Sequence, residues 1–562
     1  GRVLYTRWEY SDRGQIFPQG LFQMNPDGTG QTVFYGNNTW FPTAILHARA
    51  IPGTQKVVAV FSGHHTRQKG WLGILDPSRG RQENQGAQLI APVRKTEAVR
   101  IDAYGQAGDQ FQYPYPLSET EFLVTFRPAG SKGRFAVYWM DQDGRRELLV
   151  SDPAISCNQP VPLMPRPVPP PRPSTVDYRQ KQGTYYLQDI YAGPGLACIP
   201  RGTIKKLRVV ALSFRAAGIG QNRSQGAAGA ALSSTPISVG NGAWDPKTVL
   251  GEAKVYDDGS AAFHVPARTP VYFQALDSRG YAVQTMRSWS TAQPGERVAC
   301  VGCHESKNTA PRQAASIPAA MTRPAEALAG LDGPPRGFSF VQEIQPILDR
   351  HCTRCHRLSP PDVSYLAPRG SPDPDRAPRG SPDPDRARRG SPDPADPATE
   401  GLQTTAPPDD ASFSLLSREV VDPVAKRRWS EAYLALTHST LEGIHRGPIC
   451  FTGHPNEMVN WIDAQSVPTL LPPYFAGAAR SRLVKLLEDG HRGVKLSREE
   501  LAKLACWIDL AVPYCGNYLE ANAWTPEEKA RYEHFEEKRR RMEQQEQSNL
   551  EEYLRTRIRS QL

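Results

Sequence analysis

Two short segments of this chain combine reactive side chains at a fixed spacing. Each has the form C-x-x-C-H, and the residues are Cys300, Cys303 and His304 in the first copy and Cys352, Cys355 and His356 in the second. The spacing is typical of covalent haem attachment, in which two thiols add to the vinyl groups of the porphyrin and the adjacent histidine ligates the iron. The motifs therefore predict two covalently bound haem c groups, with His304 and His356 as iron ligands.

A zinc site is the alternative chemistry for these cysteines, because two C-x-x-C pairs can supply four thiolates to one metal ion. Zinc sites built from two such pairs usually have about 15–20 residues between the pairs. Here 48 residues separate Cys303 from Cys352, and each pair carries the extra histidine. The sequence favours haem, and a zinc-stabilised scaffold without haem is the alternative.

The motifs also indicate a compartment, because c-type cytochromes receive their haem outside the bacterial cytoplasm. We expect the protein to lie in the periplasm or an equivalent extracytoplasmic lumen. The chain starts Gly1-Arg2-Val3-Leu4 without a signal peptide, which indicates a truncated or processed product. No apolar run approaches the length of a membrane-spanning helix, so no transmembrane segment is expected.

Length and charge narrow the class of protein further. A chain of 562 residues is long enough for several domains. The formal net charge is +9, but the basic residues do not cluster with interleaved aromatics, so no nucleic acid partner is expected. About four propionate carboxylates on two haems would offset part of this charge. The remainder could dock an acidic redox partner protein or belong to an ordinary solvated surface.

The amino-terminal region, residues 1–157, reads as strands and turns. Residues 21–24 and 32–35 alternate around an Asn-Pro-Asp-Gly turn, and similar hairpin patterns recur at 71–80 and 136–144. These hairpins start about 50–65 residues apart, and recurrence at this spacing is typical of β-propeller blades. We predict a partial β-propeller whose amino-terminal blades are missing, with a β-sandwich as the alternative.

Proline-rich residues 158–175 predict an extended linker. Residues 176–312 follow as a β-rich middle domain, with the first motif at its carboxyl edge, and 313–336 as a second linker. The predicted fold class is therefore multi-domain β plus α, because an α-helical cytochrome c-like domain is expected at 337–520.

Apolar residues on one helical face precede the second motif, namely Phe340, Ile344, Ile347 and Leu348. This pattern predicts the helix that delivers the motif. We favour His491 as the second axial ligand, because it comes just before a helix that opens with the capping box at 497–500. His438, His445 and His454 are the alternatives.

Two further segments have polar compositions. Residues 359–412 form an insertion, in which a ten-residue unit repeats in tandem over 367–396 without large apolar side chains, and we predict that it is disordered. Residues 521–562 read as a charged carboxy-terminal helix that begins after Thr525.

The segment leading into Cys300 resembles a known family. Residues 251–260, 272–277, 284–289 and 294–297 are similar to the middle domain of the hydrazine synthase alpha subunit. The resemblance implies an amino-terminal propeller, a middle domain with one haem and a cytochrome domain with a bis-histidine haem, which would be His356 and His491 here. It also implies redox chemistry on a small nitrogen compound and other subunits of a multihaem complex as partners.

One position departs from that family. The family has a tyrosine ligand four residues after the first motif's histidine, whereas this chain has Asn308. His304 is then expected to ligate the iron of the first haem, and the opposite face of that haem would be open to a small-molecule ligand. His264, Tyr272 and Met286 are candidates for lining that face, and the pair His64-His65 is a further candidate. The sequence therefore leaves two functions open, a haem enzyme and a pure electron-transfer cytochrome.

Five cysteines lie outside the motifs: Cys157, Cys198, Cys450, Cys506 and Cys515. An odd number cannot all pair within the chain, although an oxidising compartment permits disulfides. We predict that Cys506 is a buried thiol. A zinc role for Cys157 or Cys198 would follow only from the family resemblance.

Overall fold

The structure is a computed structural model. It describes residues 1–9, 18–36, 39–63, 66–95, 105, 107–214, 237–239, 242–305, 308, 316–357, 414–422, 427–437, 439–440, 443–444, 458–462, 469–520 and 525–559. Several β-sheets precede a mainly helical carboxy-terminal part. This confirms the multi-domain β plus α class.

The amino-terminal part holds two sheets. The strands of the first are β1 Val3–Trp8, β2 Gln19–Met24, β3 Thr32–Tyr35, β4 Ala44–Ala50, β5 Val57–Ser62, β6 Trp71–Leu75 and β7 Ala87–Leu89. Their order is β1-β2-β4-β5-β6-β7 with β3 on β2, and β2 meets β4 through a single parallel pair, Gln19 and Ala44. The second sheet contains β8 Gln110–Pro116, β9 Glu121–Arg127, β10 Ala136–Asp141 and β11 Arg146–Val150 in sequential order.

Strands β4–β7 and β8–β11 are four-stranded antiparallel meanders. Propeller blades have this arrangement. A closed propeller is nevertheless not evident in the described ranges, so the partial propeller stays a prediction. The predicted hairpin at 21–35 is confirmed, since β2 and β3 pair antiparallel.

The middle part contains two sheets. Its strands are β12 Gln182–Leu187, β13 Lys206–Leu212, β14 Lys247–Lys254, β15 Ala261–Pro266, β16 Val271–Leu276, β17 Ala282–Thr285 and β18 Arg297–Cys300. One sheet has the order β15-β12-β18 and the other β14-β13-β16-β17. Strand β18 ends at Cys300, so the first motif begins where this sheet stops. Residues 158–175 contain no helix or strand.

The carboxy-terminal part is built mainly from helices. Its elements are α1 Phe340–Glu343, α2 Gln345–His351, β19 Glu419–Asp422, β20 Arg427–Ser430, α3 Glu431–Leu436, β21 Ser439–Thr440, β22 Gly443–Ile444, α4 Arg482–Asp489, α5 Arg498–Asp509 and α6 Pro526–Arg559. The predicted helix before Cys352 is confirmed, and its four apolar residues are buried. The predicted capping box of α5 and the charged helix α6 are also confirmed.

Strand β13 joins the middle part to the helical part. Leu207, Val209 and Ala211 belong to the core of the middle sheets, whereas Val210 and Leu212 belong to the helical core. Successive side chains of a strand point to opposite faces. One sheet is therefore buried on both sides, and the units that carry the two motifs share it. Among the described residues, no helix has the length and apolar composition needed to cross a membrane.

Candidate haem sites

The first motif is held by backbone hydrogen bonds at the end of β18. Cys300 pairs with Leu187 in the parallel ladder between β12 and β18. Beyond the ladder, the amide of Gln188 donates to the Cys300 carbonyl at 2.9 Å, and the amide of Gly195 donates to the Cys303 carbonyl at 3.2 Å. A Cβ atom on Gly195 would lie 2.7 Å from the Cys303 sulfur. Glycine at this position lets the 193–196 segment approach the motif closely.

A carboxylate closes the turn of the first motif. One Glu305 oxygen accepts hydrogen bonds from the amides of Val301 at 2.8 Å and Gly302 at 2.9 Å. His304, between this carboxylate and Cys303, has a φ of 61°, in the left-handed region that few non-glycine residues adopt. The turn is thus fixed by hydrogen bonds from the motif to the residue that directly follows it.

A cavity of about 1130 Å³ opens beside the first motif. Cys300, Cys303 and His304 line it, and burial raises the pKa of the Cys303 thiol to about 12. Typical small-molecule pockets measure about 300–1,000 Å³. The other walls come from the first amino-terminal sheet and its turns, from β12 and β16–β18, and from residues 469–471. The space is therefore large enough for a macrocycle, and the two thiols and the imidazole stand at its wall.

Only one of the described candidates for lining the open face of the first haem lies at the cavity. Met286 lines the cavity. Tyr272 does not, because its position on β16 turns it into the helical core on the other side of the sheet. His264 on β15 also lies away from the cavity, and its Nδ1 is 3.1 Å from the Thr184 hydroxyl. His64 and His65 lie outside the described residues.

Asn308, the position that departs from the family, contacts the amino-terminal sheets. Its side-chain amide donates to the Pro77 carbonyl at 2.7 Å, and its side chain also lines the cavity. Pro77 belongs to the turn between β6 and β7. The residue therefore fastens this turn over the first motif.

The second motif begins at the carboxyl end of α2. Cys352 follows the last helical residue, and its carbonyl accepts hydrogen bonds from the amides of Cys355 and His356, both at 3.1 Å. Cys352 packs against the helical core, and burial raises its pKa to about 11, whereas Cys355 is exposed. The motif thus turns out of the core towards the surface.

The structure places the rings of His356 and His491 close together, with nearly parallel planes. Their ring centroids are 6.0 Å apart and their planes differ by 18°. An imidazole nitrogen lies about 2 Å from a metal it ligates, and the ring centre lies about 1 Å farther away. Two imidazoles on opposite sides of one iron would then have centroids about 6 Å apart. The observed centroid separation of His356 and His491 is close to this value.

His491 owes its position to the turn between α4 and α5. The amide of Val494 donates to the His491 carbonyl at 2.8 Å, and Ser497 then caps α5. The other sequence candidates, His438, His445 and His454, lie outside the described residues. Of the four candidate histidines, His491 is the one whose distance from His356 the described residues give.

Glu500 positions the second motif and was not found from the sequence. Its carboxylate lies 3.0 Å from the His351 ring nitrogen and 2.9 Å from the Arg350 guanidinium, which joins α5 to the end of α2. The sequence identified Glu500 only as part of a local capping box. No local signal could show its second, long-range role.

The described residues show no metal cluster of the zinc type. Within these ranges, no group of three or more His, Cys, Asp or Glu side chains could hold a metal ion. The four motif cysteines therefore do not meet in one tetrahedral site. Cys506 is fully buried, as predicted, and no disulfide joins Cys157, Cys198 or Cys515 to another cysteine of the described ranges. Cys450 lies outside the described residues.

Comparison with known proteins agrees with this geometry. A family model for the hydrazine synthase alpha subunit middle domain matches residues 202–305, which include the first motif. This part of the chain is similar to the hydrazine synthase alpha subunit. A curated relative, hydrazine synthase subunit alpha of Kuenenia stuttgartiensis, is 25% identical over 248 residues, which span 38% of this chain and 30% of the relative.

A solved structure extends the similarity in fold. The hydrazine synthase structure from Kuenenia stuttgartiensis matches with a TM-score of 0.59 and 18% identity, and the match covers 92% of this alpha-like chain and 68% of that chain. At this level of identity the match concerns the fold. The second motif lies outside the family-model range, so its chemistry has to be argued from this chain's own residues.

Proposed function

We propose that this hydrazine synthase alpha-like chain is a periplasmic dihaem c-type cytochrome. In this proposal it transfers electrons or carries out haem-based redox chemistry on a small nitrogen compound. The observation that carries the proposal is the close approach of the two imidazole rings of His356 and His491 at the second C-x-x-C-H motif, with centroids 6.0 Å apart. Redox partner proteins and other subunits of a multihaem complex are the partners we propose, from the similarity to an alpha subunit.

The two sites differ in what their residues can do. At the second site, Cys352 and Cys355 would supply the thiols, and His356 and His491 would hold the iron. A haem bound there would supply redox chemistry. With both imidazoles on the iron, small ligands would be excluded, so the second site would suit electron relay.

At the first site the residues leave room beside the motif. His304 is the only motif imidazole there, and among the described residues His264 and Tyr272 do not line the cavity. The thioether of Met286 does line it and is the remaining candidate from the sequence for a weak distal contact. The cavity therefore favours small-molecule chemistry at the first site over a protein that only passes electrons.

The test counts haems and open iron positions. Pyridine haemochrome spectra of the denatured protein should show two covalent haems per chain. Carbon monoxide should then bind one reduced haem of the two. His491→Ala should raise the bound fraction to both, because it vacates one axial position. The control His534→Ala changes an exposed histidine of α6 and should leave the fraction at one half.

Each contrary outcome has a definite meaning. Protein that contains zinc but no haem would refute the proposal and favour the zinc scaffold. Two haems that bind no carbon monoxide would leave a pure electron-transfer cytochrome. If His491→Ala binds no more carbon monoxide than the wild type, His491 is not the axial ligand, and His438, His445 and His454 should be replaced in turn.

A further inference from the structure

The turn between β6 and β7 places a guanidinium at the wall of the first cavity. Asn308 holds this turn through the Pro77 carbonyl, and the backbone of Arg81 is fixed by a 2.8 Å hydrogen bond from the Gly36 amide. The side chain of Arg81 then lines the same cavity as Cys300, Cys303 and His304. A cation from the amino-terminal sheets therefore faces the space beside the first motif.

The described residues accept only some of the hydrogen bonds that the Arg81 guanidinium can donate. The Nη1 atom donates to the Phe34 carbonyl at 2.9 Å, and the group lies 5.9 Å from the Phe34 ring centre. The Nε atom is buried and has no hydrogen-bond partner among the described residues. Burial lowers the pKa of Arg81, and no carboxylate offsets that effect. Arg81 is half-buried, so the desolvation of its cation is partly uncompensated by the described residues.

The acidic residues of the cavity wall are held elsewhere. Glu83 accepts from the amides of Trp40 and Phe41. Glu296 accepts from the amides of Gly30 and Gln293, both at 2.7 Å. Glu305 closes the turn of the first motif, as described above. These carboxylates accept from backbone donors, so no carboxylate of the described cavity wall is placed to pair with Arg81, and a ligand anion could do so.

We propose that Arg81 binds an oxyanion of the carboxylate type inside the cavity. Because Nη1 is used by Phe34, the edge formed by Nε and Nη2 is the one left for two oxygens side by side, and binding requires the guanidinium to turn so that the buried Nε faces the cavity. Such bidentate pairs are among the strongest hydrogen-bonded contacts in proteins. The oxyanion is either a propionate of the haem at the first motif or a small exogenous anion such as nitrite. The first source rests on the proposed function.

The experiment compares Arg81→Gln and Arg81→Lys with the wild type. Arg179→Gln is the control, because Arg179 is a surface arginine with 74% of its side chain exposed, paired with Asp177 outside the cavity. Three quantities are measured: covalent haems per chain, the reduction potential of each haem, and nitrite affinity by optical titration. Lysine keeps the charge but loses the two-pronged edge, so it should fall between wild type and glutamine.

The outcomes distinguish the two sources. If Arg81 pairs with a propionate, Arg81→Gln should lower the potential of the first haem and leave the second unchanged, because an uncompensated negative charge favours the oxidised iron. If it binds a free anion, nitrite affinity should fall at least tenfold with both potentials unchanged. If potentials and affinity match those of Arg179→Gln, the inference is wrong.

Failure of the proposed function gives a different result. Wild-type protein with fewer than two covalent haems would refute the dihaem proposal itself. Anion binding can still be tested on that protein by measuring the rise in melting temperature that acetate or nitrite causes. A rise that is equal in wild type and Arg81→Gln would overturn the role of Arg81. If Arg81→Gln does not fold, Arg81→Lys carries the same comparison.

Discussion

A buried ion pair should govern how firmly the middle sheets and the helical part hold together. Arg208 on β13 is fully buried, and its Nη1 lies 3.8 Å from an Asp509 oxygen at the end of α5. The guanidinium also donates to the Gln274 side chain at 3.0 Å and to the Gly280 carbonyl at 3.2 Å. Asp509 in turn accepts from backbone amides of both parts. The pair therefore spans the junction between the two units that carry the motifs.

Arg208→Met should destabilise the protein strongly at pH 8. Removing one partner of a buried pair costs about 3–5 kcal/mol, because the other charge stays in the interior without compensation. Two backbone amides still donate to Asp509, from Ala282 at 2.9 Å and Ala478 at 2.8 Å, so we expect the lower end, about 3 kcal/mol. Adding Asp509→Asn removes the orphaned charge, so the double variant should lose less than the sum of the single losses.

Urea unfolding followed by tryptophan fluorescence measures this cost, since Trp429 and Trp507 are buried in the helical core. The loss for Arg208→Met should be at least about 1 kcal/mol smaller at pH 5 than at pH 8, because Asp509 can then be protonated. Arg179→Met, at an exposed pair, should leave the midpoint unchanged. A loss below about 1 kcal/mol at pH 8, or costs that simply add in the double variant, would refute the reasoning.

Three other outcomes can be checked. Burial raises the pKa of Asp509 to about 6, so the folded protein holds this proton more tightly than the unfolded chain. The contribution of this proton to the free energy of unfolding is largest below pH 4 and is lost as the pH rises through 6. Asp509→Asn should therefore make the free energy of unfolding less dependent on pH over that window than in the wild type. Gly195→Ala should reduce covalent haem towards one per chain by displacing Cys303, whereas Gly133→Ala, which meets only a movable serine side chain, should keep two. Deleting residues 367–396 should leave the melting temperature unchanged in calorimetry, because the repeat has no large apolar side chains to bury; a large decrease would show that it is structural.

The sequence by itself determined the features that depend on neighbours along the chain. The two C-x-x-C-H motifs can be read directly, because one porphyrin fixes the spacing of its two thiols and its histidine. The hairpin at 21–35, the helix before Cys352 and the capping box at Ser497 follow from local periodicity and local hydrogen bonding. The fold class follows from the order of these elements.

Only the tertiary structure decided which residues meet across the chain. Tyr272 looked as good a candidate as Met286, but the pleat of β16 buries it in the helical core on the opposite face of the sheet. Arg81, Glu500 and the pair of Arg208 with Asp509 gave no local signal, because each acquires its role from a partner on a distant element. The first cavity likewise forms where the first amino-terminal sheet, the middle strands and residues 469–471 come together. Local patterns fix the elements, whereas the packing of their faces assembles the site.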